Sequence, residues 1–358
     1  MNDKLSLTYI LTPLLLAICL AGRAPDTYAA WELLPTAQVM ENVSALKTDG
    51  RRLYAGTWRG LYISDDNGDT WRTTALTQSV RTIAISNDAV YASAYEHGVF
   101  RSDDYGETWN PINNGLRKID DRTGEIRLPY IHQILVTGSG MVIAVGYHFG
   151  TYISRDRGET WHYPLEEWVF GEPYPLTYIA WDTWSMTEFN GFLWSAGISR
   201  LHRTADEGET WERLPNWAAT RRALSDYGEV RDWTVFDDRL YVAATNGFAR
   251  WDEAELAWDD LSRGLPDEPR VEVLALNRGR IFAGLRNGGV WMFDEPSETW
   301  IPVGLQEFRI SVLVSHQSRL YAVALYDNWD FAGLFRASIP LVHPYGKAAT
   351  TWGAVKKE

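Results

Sequence analysis

Residues 61–71, "LYISDDNGDTW", place three aspartates and one asparagine around a single glycine. Side chains of this kind can coordinate calcium, take part in acid–base catalysis, or hold a tight turn by accepting backbone hydrogen bonds. An EF-hand loop is disfavoured, because position 12 counted from Asp65 is Leu76 and not a bidentate glutamate. Whether the pattern is single or repeated decides between catalysis and a turn.

The pattern Ser/Thr-x-Asp-x-Gly-x-Thr-Trp occurs four times in the chain. Self-similarity at a period of this size indicates a solenoid, a propeller or another repeat array. We predict a structural role for each copy: the aspartate accepts backbone N–H bonds in an Asx-type turn, the glycine takes a positive φ, and the tryptophan packs between repeats. The fixed positions are Ser64, Asp66, Gly68 and Trp71; Ser102, Asp104, Gly106 and Trp109; Ser154, Asp156, Gly158 and Trp161; and Thr204, Asp206, Gly208 and Trp211.

Three further repeats are less regular. Two of them end at Trp258 and Trp300, and a seventh begins at Leu320 but stops before a tryptophan. In the first two, the aligned aspartate and glycine positions hold Glu253 and Glu255, and Glu295 and Ser297.

Each repeat contains short runs rich in β-branched and aromatic residues, bounded by Gly, Asp and Asn, which are typical of strands. We predict four strands a repeat, A to D, with the acidic pattern as the hairpin between C and D. Seven such units arranged radially make an all-β, seven-bladed β-propeller. The last repeat lacks strand D, while "WELLP" at Trp31 resembles "WERLP" at Trp211, so an N-terminal strand is predicted to close the ring.

The composition limits the choice of partners. The chain of 358 residues is 45% hydrophobic and 23% charged, which allows a large core. A net charge of -13 disfavours nucleic acid and anionic membranes as partners, because both select basic surfaces. Cys19 is the single cysteine, so no intrachain disulfide can form. We predict no cofactor and no bound metal, and a monomer.

The N-terminus has the pattern of an export signal. Residues 5–20 are uncharged and mostly apolar, and they follow Lys4. Thr27-Tyr28-Ala29 has small residues at the spacing that signal peptidase accepts, so we predict cleavage near Ala29. Two alternatives remain open: lipidation at Cys19, and retention of the segment as an anchor, although it is short and contains Pro13. We therefore divide the chain into a signal peptide, 1–29, a propeller, 31–340, and a tail, 341–358.

The repeated motif resembles the Asp-box, or BNR, repeat of sialidases, some polysaccharide-cleaving glycoside hydrolases, sortilin-type receptors and photosystem II assembly factors. The resemblance implies the propeller fold but not one function. In that family the box lies on the face away from the ligand site, so a site is expected at the opposite rim, among the B–C loops and the D–A connections.

The candidate ligand-binding residues are aromatic and charged side chains on these segments, a combination that suits sugars or peptides. The connections after the second, third and fourth blades are enlarged, so we predict that a ligand contacts a crescent over blades two to five. Packing of the loops is the alternative role for any one residue, and a metal shared by two of the histidines lacks a third ligand. The candidates are Trp58, Tyr95, Glu96, His97, Arg127, Tyr147, His148, Trp168, Trp184, Trp217, Arg286 and Trp329.

Catalysis is weakly supported. A sialidase would carry an Arg-Ile-Pro-like motif before its boxes, whereas "IRLP" at Arg127 and "FRIS" at Arg309 are misplaced near-matches. A polysaccharide hydrolase needs two carboxylates across a cleft, and no spacing selects Glu96, Asp182 or Asp330. Arginines recur near the starts of the A strands, where they either bind an anion or pair with acidic neighbours: Arg81, Arg127, Arg231, Arg270 and Arg309.

We therefore predict an exported, non-catalytic propeller that binds a protein or a glycan through its non-box face. The alternatives are a sialidase-like or other glycoside hydrolase, and a protein similar to photosystem II assembly factors.

Overall fold

The computed structural model describes residues 29–35, 42–119, 126–146, 150–162, 183–197, 200–214 and 229–339. The predicted signal peptide, apart from Ala29, and the predicted tail lie outside these ranges. The described strands form eight antiparallel sheets, seven of which are arranged as the blades of a propeller. In each blade, strands A to D follow one another from the central channel to the outer edge. The predicted all-β, seven-bladed fold is confirmed.

The first two blades are complete and regular. The first contains β2 (Val43–Thr48), β3 (Leu53–Thr57), β4 (Gly60–Ser64) and β5 (Arg72–Thr73). The second contains β6 (Val80–Ile85), β7 (Val90–Ala94), β8 (Gly98–Ser102) and β9 (Asn110–Pro111). A separate hairpin, β10 (Lys118–Ile119) and β11 (Ile126–Arg127), follows.

The outer strand of the third blade is reduced to a single bridge, while that of the fourth has two residues, as in the first two blades. The third contains β12 (Ile131–Val136), β13 (Val142–Gly146) and β14 (Gly150–Ser154), and its fourth position is a single bridge between Ile153 and His162. The fourth contains β15 (Thr183–Phe189), β16 (Phe192–Gly197), β17 (Arg200–Thr204) and β18 (Glu212–Arg213).

The last three blades have longer strands. The fifth contains β19 (Val230–Phe236), β20 (Arg239–Ala244), β21 (Gly247–Asp252) and β22 (Ala257–Asp260). The sixth contains β23 (Val271–Asn277), β24 (Arg280–Leu285), β25 (Val290–Asp294), a 3-10 turn (Glu295–Ser297) and β26 (Thr299–Gly304). The seventh contains β27 (Arg309–His316), β28 (Arg319–Leu325) and β29 (Phe331–Ser338).

The outer strand of the seventh blade comes from the other end of the chain. Strand β1 (Ala30–Leu33) pairs antiparallel with β29, from Ala30 opposite Ser338 to Leu33 opposite Phe335. The Trp31 indole donates a hydrogen bond to the Val303 carbonyl at 3.0 Å, which ties β1 to the sixth blade. Innermost strand β27 contacts β2, so the ring is closed. This arrangement confirms the predicted N-terminal closure.

The core lies between neighbouring blades. Apolar side chains of each blade meet those of the next in a separate cluster, and one cluster joins the seventh blade to the first. The B strands are buried on both faces, which explains their unbroken apolar runs. Buried B-strand tyrosines also latch onto the next blade: the Tyr321 hydroxyl donates to the Asn67 carbonyl at 2.8 Å.

The Asp boxes are turn clasps, as predicted. The Asp104 carboxylate accepts hydrogen bonds from the Thr108 backbone N–H at 2.8 Å, the Thr108 hydroxyl at 2.6 Å and the Ser102 hydroxyl at 2.7 Å. The hydrogen bonds from Thr108 and Ser102 lower the pKa of Asp104 to about 2. Both Tyr105 (φ 59°) and Gly106 (φ 96°) are left-handed, and a Cβ at Gly106 would lie 2.5 Å from Ile63 of the first blade.

In the two less regular boxes, the turn carboxylate is one residue earlier than the sequence alignment suggests. Asp252 accepts the backbone N–H groups of Ala254 and Glu255 at 2.9 and 3.1 Å, while Glu253 instead accepts from the Trp251 indole. In the sixth blade Asp294 precedes the 3-10 turn and accepts the Ser297 hydroxyl. The assignment of Glu253 and Glu295 as replacements for the box aspartate is therefore wrong, because a shorter turn moves the accepting position.

Candidate binding face

The face opposite the boxes carries the B–C loops and the starts of the A strands. Strands alternate in direction within each blade, so the A–B and C–D hairpins share one face while the B–C hairpins and D–A connections share the other. We call the second one the non-box face.

Every innermost strand has a β-bulge at this face. The pairing between strands A and B shifts register at the same place in all seven blades. A bulge inserts one residue and re-aims its side chain, and bulges are common beside functional sites. The inserted residues, in blade order, are Ser44, Arg81, His132, Trp184, Arg231, Glu272 and Ser311.

Two of these bulges take part in a cluster of charges that joins blades five, six and seven. The Glu272 carboxylate lies 3.5 Å from the Arg309 guanidinium and 3.9 Å from those of Arg231 and Arg286. Arg231 also pairs with Glu229 at 2.6 Å. Side chains from three separate strands and one loop thus meet around the partly buried carboxylate of Glu272.

Trp329, on the B–C loop of the seventh blade, completes the cluster. The guanidinium carbon of Arg309 lies 3.4 Å from the centre of its ring, and that of Arg286 lies at 4.9 Å. Such cation–π contacts fix the orientation of both partners. We define the arginine site as Arg231, Glu272, Arg286, Arg309 and Trp329.

Trp329 is held in an unusual state. It is 54% exposed and its φ is 73°. A bulky residue in the left-handed region is a conformational outlier, and such strain concentrates at ligand sites. Its loop is closed by backbone bonds from Tyr326 to Asp330 and from Trp329 to Tyr326, both at 2.9 Å.

The arginine site has an excess of positive charge. The pKa of Arg309 is lowered to about 10, chiefly by burial and also by the charges of Arg286, Arg231 and Arg270, while Glu272 acts in the opposite direction. The guanidinium remains protonated at neutral pH. A lowered pKa means that its charged form is under-compensated, so a bound anion would stabilise it.

An open depression of about 600 Å³ lies above these residues. Its walls are mostly polar, and the arginine and tryptophan side chains are accessible from it. This geometry suits a small anionic group at the end or on the side of a larger ligand. The lining residues are Arg286, Asn287, Gly288, Gln306, Glu307, Phe308, Arg309, Asp327 and Trp329.

Several predicted site residues do lie on the non-box face. Trp58 (59% exposed) and Tyr95 (46% exposed) are on the B–C loops of the first and second blades, with Glu96 and His97 beside Tyr95. The Tyr95 ring packs edge-on against Tyr130 at 5.6 Å. Among the twelve predicted binding residues, Arg286 contacts Trp329, and the His97 ring lies 2.7 Å from the Tyr95 carbonyl oxygen.

The crescent over blades two to five stays a prediction. Tyr147, His148, Trp168 and Trp217 lie outside the described residues, as does Asp182.

Two predicted positions differ in the structure. Trp184 was expected on an enlarged connection, but its backbone forms the bulge of inner strand β15. The fourth blade begins earlier in the chain than its sequence pattern suggests. Arg127 was grouped with the A-strand arginines, but it is an exposed residue of β11, which ends before inner strand β12 begins.

Sequence reasoning left Arg231, Glu272 and Arg309 out of the predicted binding site. The recurrence of arginine at the A-strand starts was visible in the sequence. The acidic partner and the bulges that direct these side chains were not, because neither leaves a local pattern.

Within the described residues, no three His, Cys, Asp or Glu side chains are grouped as metal ligands would be. In the same ranges, no helix is long and apolar enough to span a bilayer.

The profile of the BNR/Asp-box repeat matches residues 62–73 and 152–163, which are the first and third boxes. A comparison with curated protein sequences finds no match.

Similar solved structures share the fold at low sequence identity. The extracellular domain of B. thetaiotaomicron BT3049, described as a hybrid two-component system, has a TM-score of 0.62 and 10% identity, over 87% of this chain and 42% of that one. YCF48 from Cyanidioschyzon merolae has a TM-score of 0.60 and 13% identity, over 89% of this chain and 100% of that one; YCF48 is also known bound to a D1 peptide.

A GH74 enzyme from Niastella koreensis has a TM-score of 0.57 and 12% identity, over 80% of this chain and 51% of that one. This chain therefore spans less than half of the BT3049 domain and about half of the GH74 enzyme. The chain thus carries BNR/Asp-box repeats on a propeller fold that these solved structures share.

Proposed function

We propose that this Asp-box repeat propeller is an exported binding module that recognises a carboxylate on a protein or glycan ligand at the arginine site. The observation that carries the proposal is the convergence of three arginines on one shared carboxylate, Glu272, below an open depression. Arginine is suited to this role because its planar fork matches a carboxylate in a bidentate way.

The site is largely preorganised for an anion. Glu272 and the ring of Trp329 hold the Arg309 side chain in place before a ligand arrives. Less conformational entropy is then lost on binding, which raises affinity. Arg286 stands at the edge of the depression on a B–C loop and is half-buried, so it supplies a second cation to the same ligand group.

Export and a binding role have independent support. The N-terminal pattern is that of a signal peptide, and structural neighbours include an extracellular domain and YCF48 with a bound D1 peptide. The similarity to a GH74 enzyme keeps glycoside hydrolysis as the alternative.

The test uses Arg309→Gln, which removes the charge but keeps much of the side-chain length. The probes are hexaglutamate and hexagalacturonate, and we expect at least one of them to bind the unaltered protein in titration calorimetry. The Kd of that probe should rise by about 10-fold to 100-fold in this variant. Arg155→Gln is the matched control, because Arg155 pairs with Glu207 and Glu209 on the box face. Equal affinity in both variants, or no binding of either probe to the unaltered protein, would contradict the proposal.

Two further measurements test the competing predictions. Hydrogen exchange with the bound probe should protect blades five to seven, whereas protection restricted to blades two to four would favour the crescent. A panel of sialosides and glucans tests for catalysis. If the protein hydrolyses one of them and Arg127→Ala abolishes the turnover, the protein is a glycoside hydrolase and the non-catalytic proposal is wrong.

A further inference from the structure

Exposed aromatic side chains form a row on the non-box face. Within the described residues, Trp329 and Tyr326 lie on the B–C loop of the seventh blade, Trp58 on that of the first and Tyr95 on that of the second. These blades are consecutive around the ring, because inner strand β2 contacts both β27 and β6. The row therefore begins at the arginine site and continues away from it over two more blades.

The exposure of Trp58 is not explained by the fold. The two-residue loop at Trp58 is closed by the pairing of Thr57 with Gly60, so a small polar residue would serve the hairpin equally well. Large apolar side chains on a surface mark interaction sites when they are grouped. Here the exposed aromatic residues lie on consecutive blades. The B–C loop of the fifth blade differs, because its two residues are Thr245 and Asn246.

We propose that the ligand of the arginine site is a linear polysaccharide containing uronate residues, which extends from Arg309 across Trp58 to Tyr95. This inference rests on the proposed function and narrows it from any carboxylate ligand to an acidic glycan. One uronate carboxylate binds at the arginine site, and successive sugar rings pack against the aromatic side chains.

The chemistry of the row matches sugars. Pyranose rings present C–H groups with partial positive charge, which pack on the negative face of an aromatic ring. The same loops supply acceptors for sugar hydroxyl groups, including the exposed carboxylates of Glu96 and Asp327. Arg286 and Arg309, which line the depression, provide the positive charge that a neutral polysaccharide would leave unused.

An acidic peptide fits less well. A peptide that adds to a sheet needs a free strand edge, whereas the described loops of blades seven, one and two are closed hairpins. A folded protein partner would favour a continuous apolar centre, whereas the aromatic residues here stand on separate loops with polar neighbours.

The experiment measures binding of polygalacturonate and its oligomers, from dimer to octamer, to the full chain. We expect affinity to rise with oligomer length, because longer chains reach Trp58 and Tyr95. Fully methyl-esterified polygalacturonate, which keeps the sugar rings but lacks the charge, should bind at least about 10-fold more weakly. Poly-L-glutamate is the probe for an acidic peptide.

Variants separate the two parts of the surface. Trp58→Ala should weaken binding of the octamer by about tenfold and leave that of the dimer unchanged. Tyr105→Ala is the matched control, since Tyr105 is also an exposed aromatic residue, at 42%, but lies on a box hairpin at the opposite face. Arg309→Gln should weaken both oligomers.

The outcomes distinguish this inference from the function on which it rests. If Arg309→Gln abolishes binding while Trp58→Ala matches Tyr105→Ala, the carboxylate site stands and the aromatic row is excluded as part of it. Binding of poly-L-glutamate as tight as that of polygalacturonate likewise overturns the glycan inference alone. Binding of neither polymer overturns both.

Discussion

Replacing Leu34 by alanine tests how the ring is closed. Leu34 follows β1 directly, is fully buried, and packs in the cluster between the seventh and first blades with Leu53 and Tyr321. Its backbone N–H donates to the Leu334 carbonyl at 2.9 Å, and this bond survives the substitution. The change therefore removes side-chain packing at the seam and leaves the strand pairing intact.

The expected loss of stability is about 3 kcal/mol. Truncating a buried leucine to alanine costs about 2–5 kcal/mol, and the cost is higher where neighbours cannot collapse into the cavity. The neighbours of Leu34 are held in strands β3 and β28 and in the Asp box, where a Cβ at Gly68 would lie 3.0 Å from Leu34 Cδ1. A loss of this size corresponds to a decrease in Tm of about 4 °C for a chain of 358 residues.

The assay is thermal and urea unfolding monitored by tryptophan fluorescence, with Leu33→Ala as the matched control. Leu33 is the adjacent residue, faces the other way and is 52% exposed, so its truncation should cost less than about 1 kcal/mol. If the two variants unfold at the same urea concentration, the N-terminal segment does not complete the seventh blade and the closure described above is wrong.

Three other predictions follow from the same contacts. Asp104→Ala should lower the unfolding free energy by about 1–3 kcal/mol without changing ligand affinity, because the carboxylate serves the turn alone. The control is Glu107→Ala, which changes an exposed residue of the same turn. A loss of affinity in the folded Asp104 variant would show that the box takes part in binding. Burial lowers the pKa of His316, which bonds Thr48 at 2.6 Å and Asn67 at 3.0 Å, so its contribution to stability is complete above about pH 6.5 and is lost as pH falls through the lowered pKa. His316→Gln should therefore flatten the decline in unfolding free energy as the pH falls below about 6.5, and an unchanged slope would count against this role. Deleting residues 31–35 should lower Tm more than Leu34→Ala does, since it also exposes two strand edges.

Much of the fold was predictable because its determinants are local. The aspartate, glycine and tryptophan of each box act within one hairpin, so their fixed spacing is visible in the sequence. The seventh repeat lacks strand D, and the N-terminal segment "WELLP" resembles such a strand, so the sequence predicted that the two form one blade. The prediction failed where a turn changed length, as at Asp252 and Asp294, since a one-residue shift leaves the composition of the segment unchanged.

The site was predictable only in part. Trp58, Tyr95, Arg286 and Trp329 were identified because their loops depart from the repeat pattern. Arg127 has an equally suggestive context, yet it lies on the short hairpin before the third blade.

The sequence by itself determined the repeat, the blade count and the face on which a ligand is expected, because these depend on hairpin chemistry and strand alternation. The tertiary structure alone decided which charges meet. Arg231, Glu272 and Arg309 belong to three consecutive blades, and their contact depends on the packing of these blades and on bulges that turn the side chains of Arg231 and Glu272. These long-range contacts are set by the packing of whole blades, so no local sequence pattern predicts them.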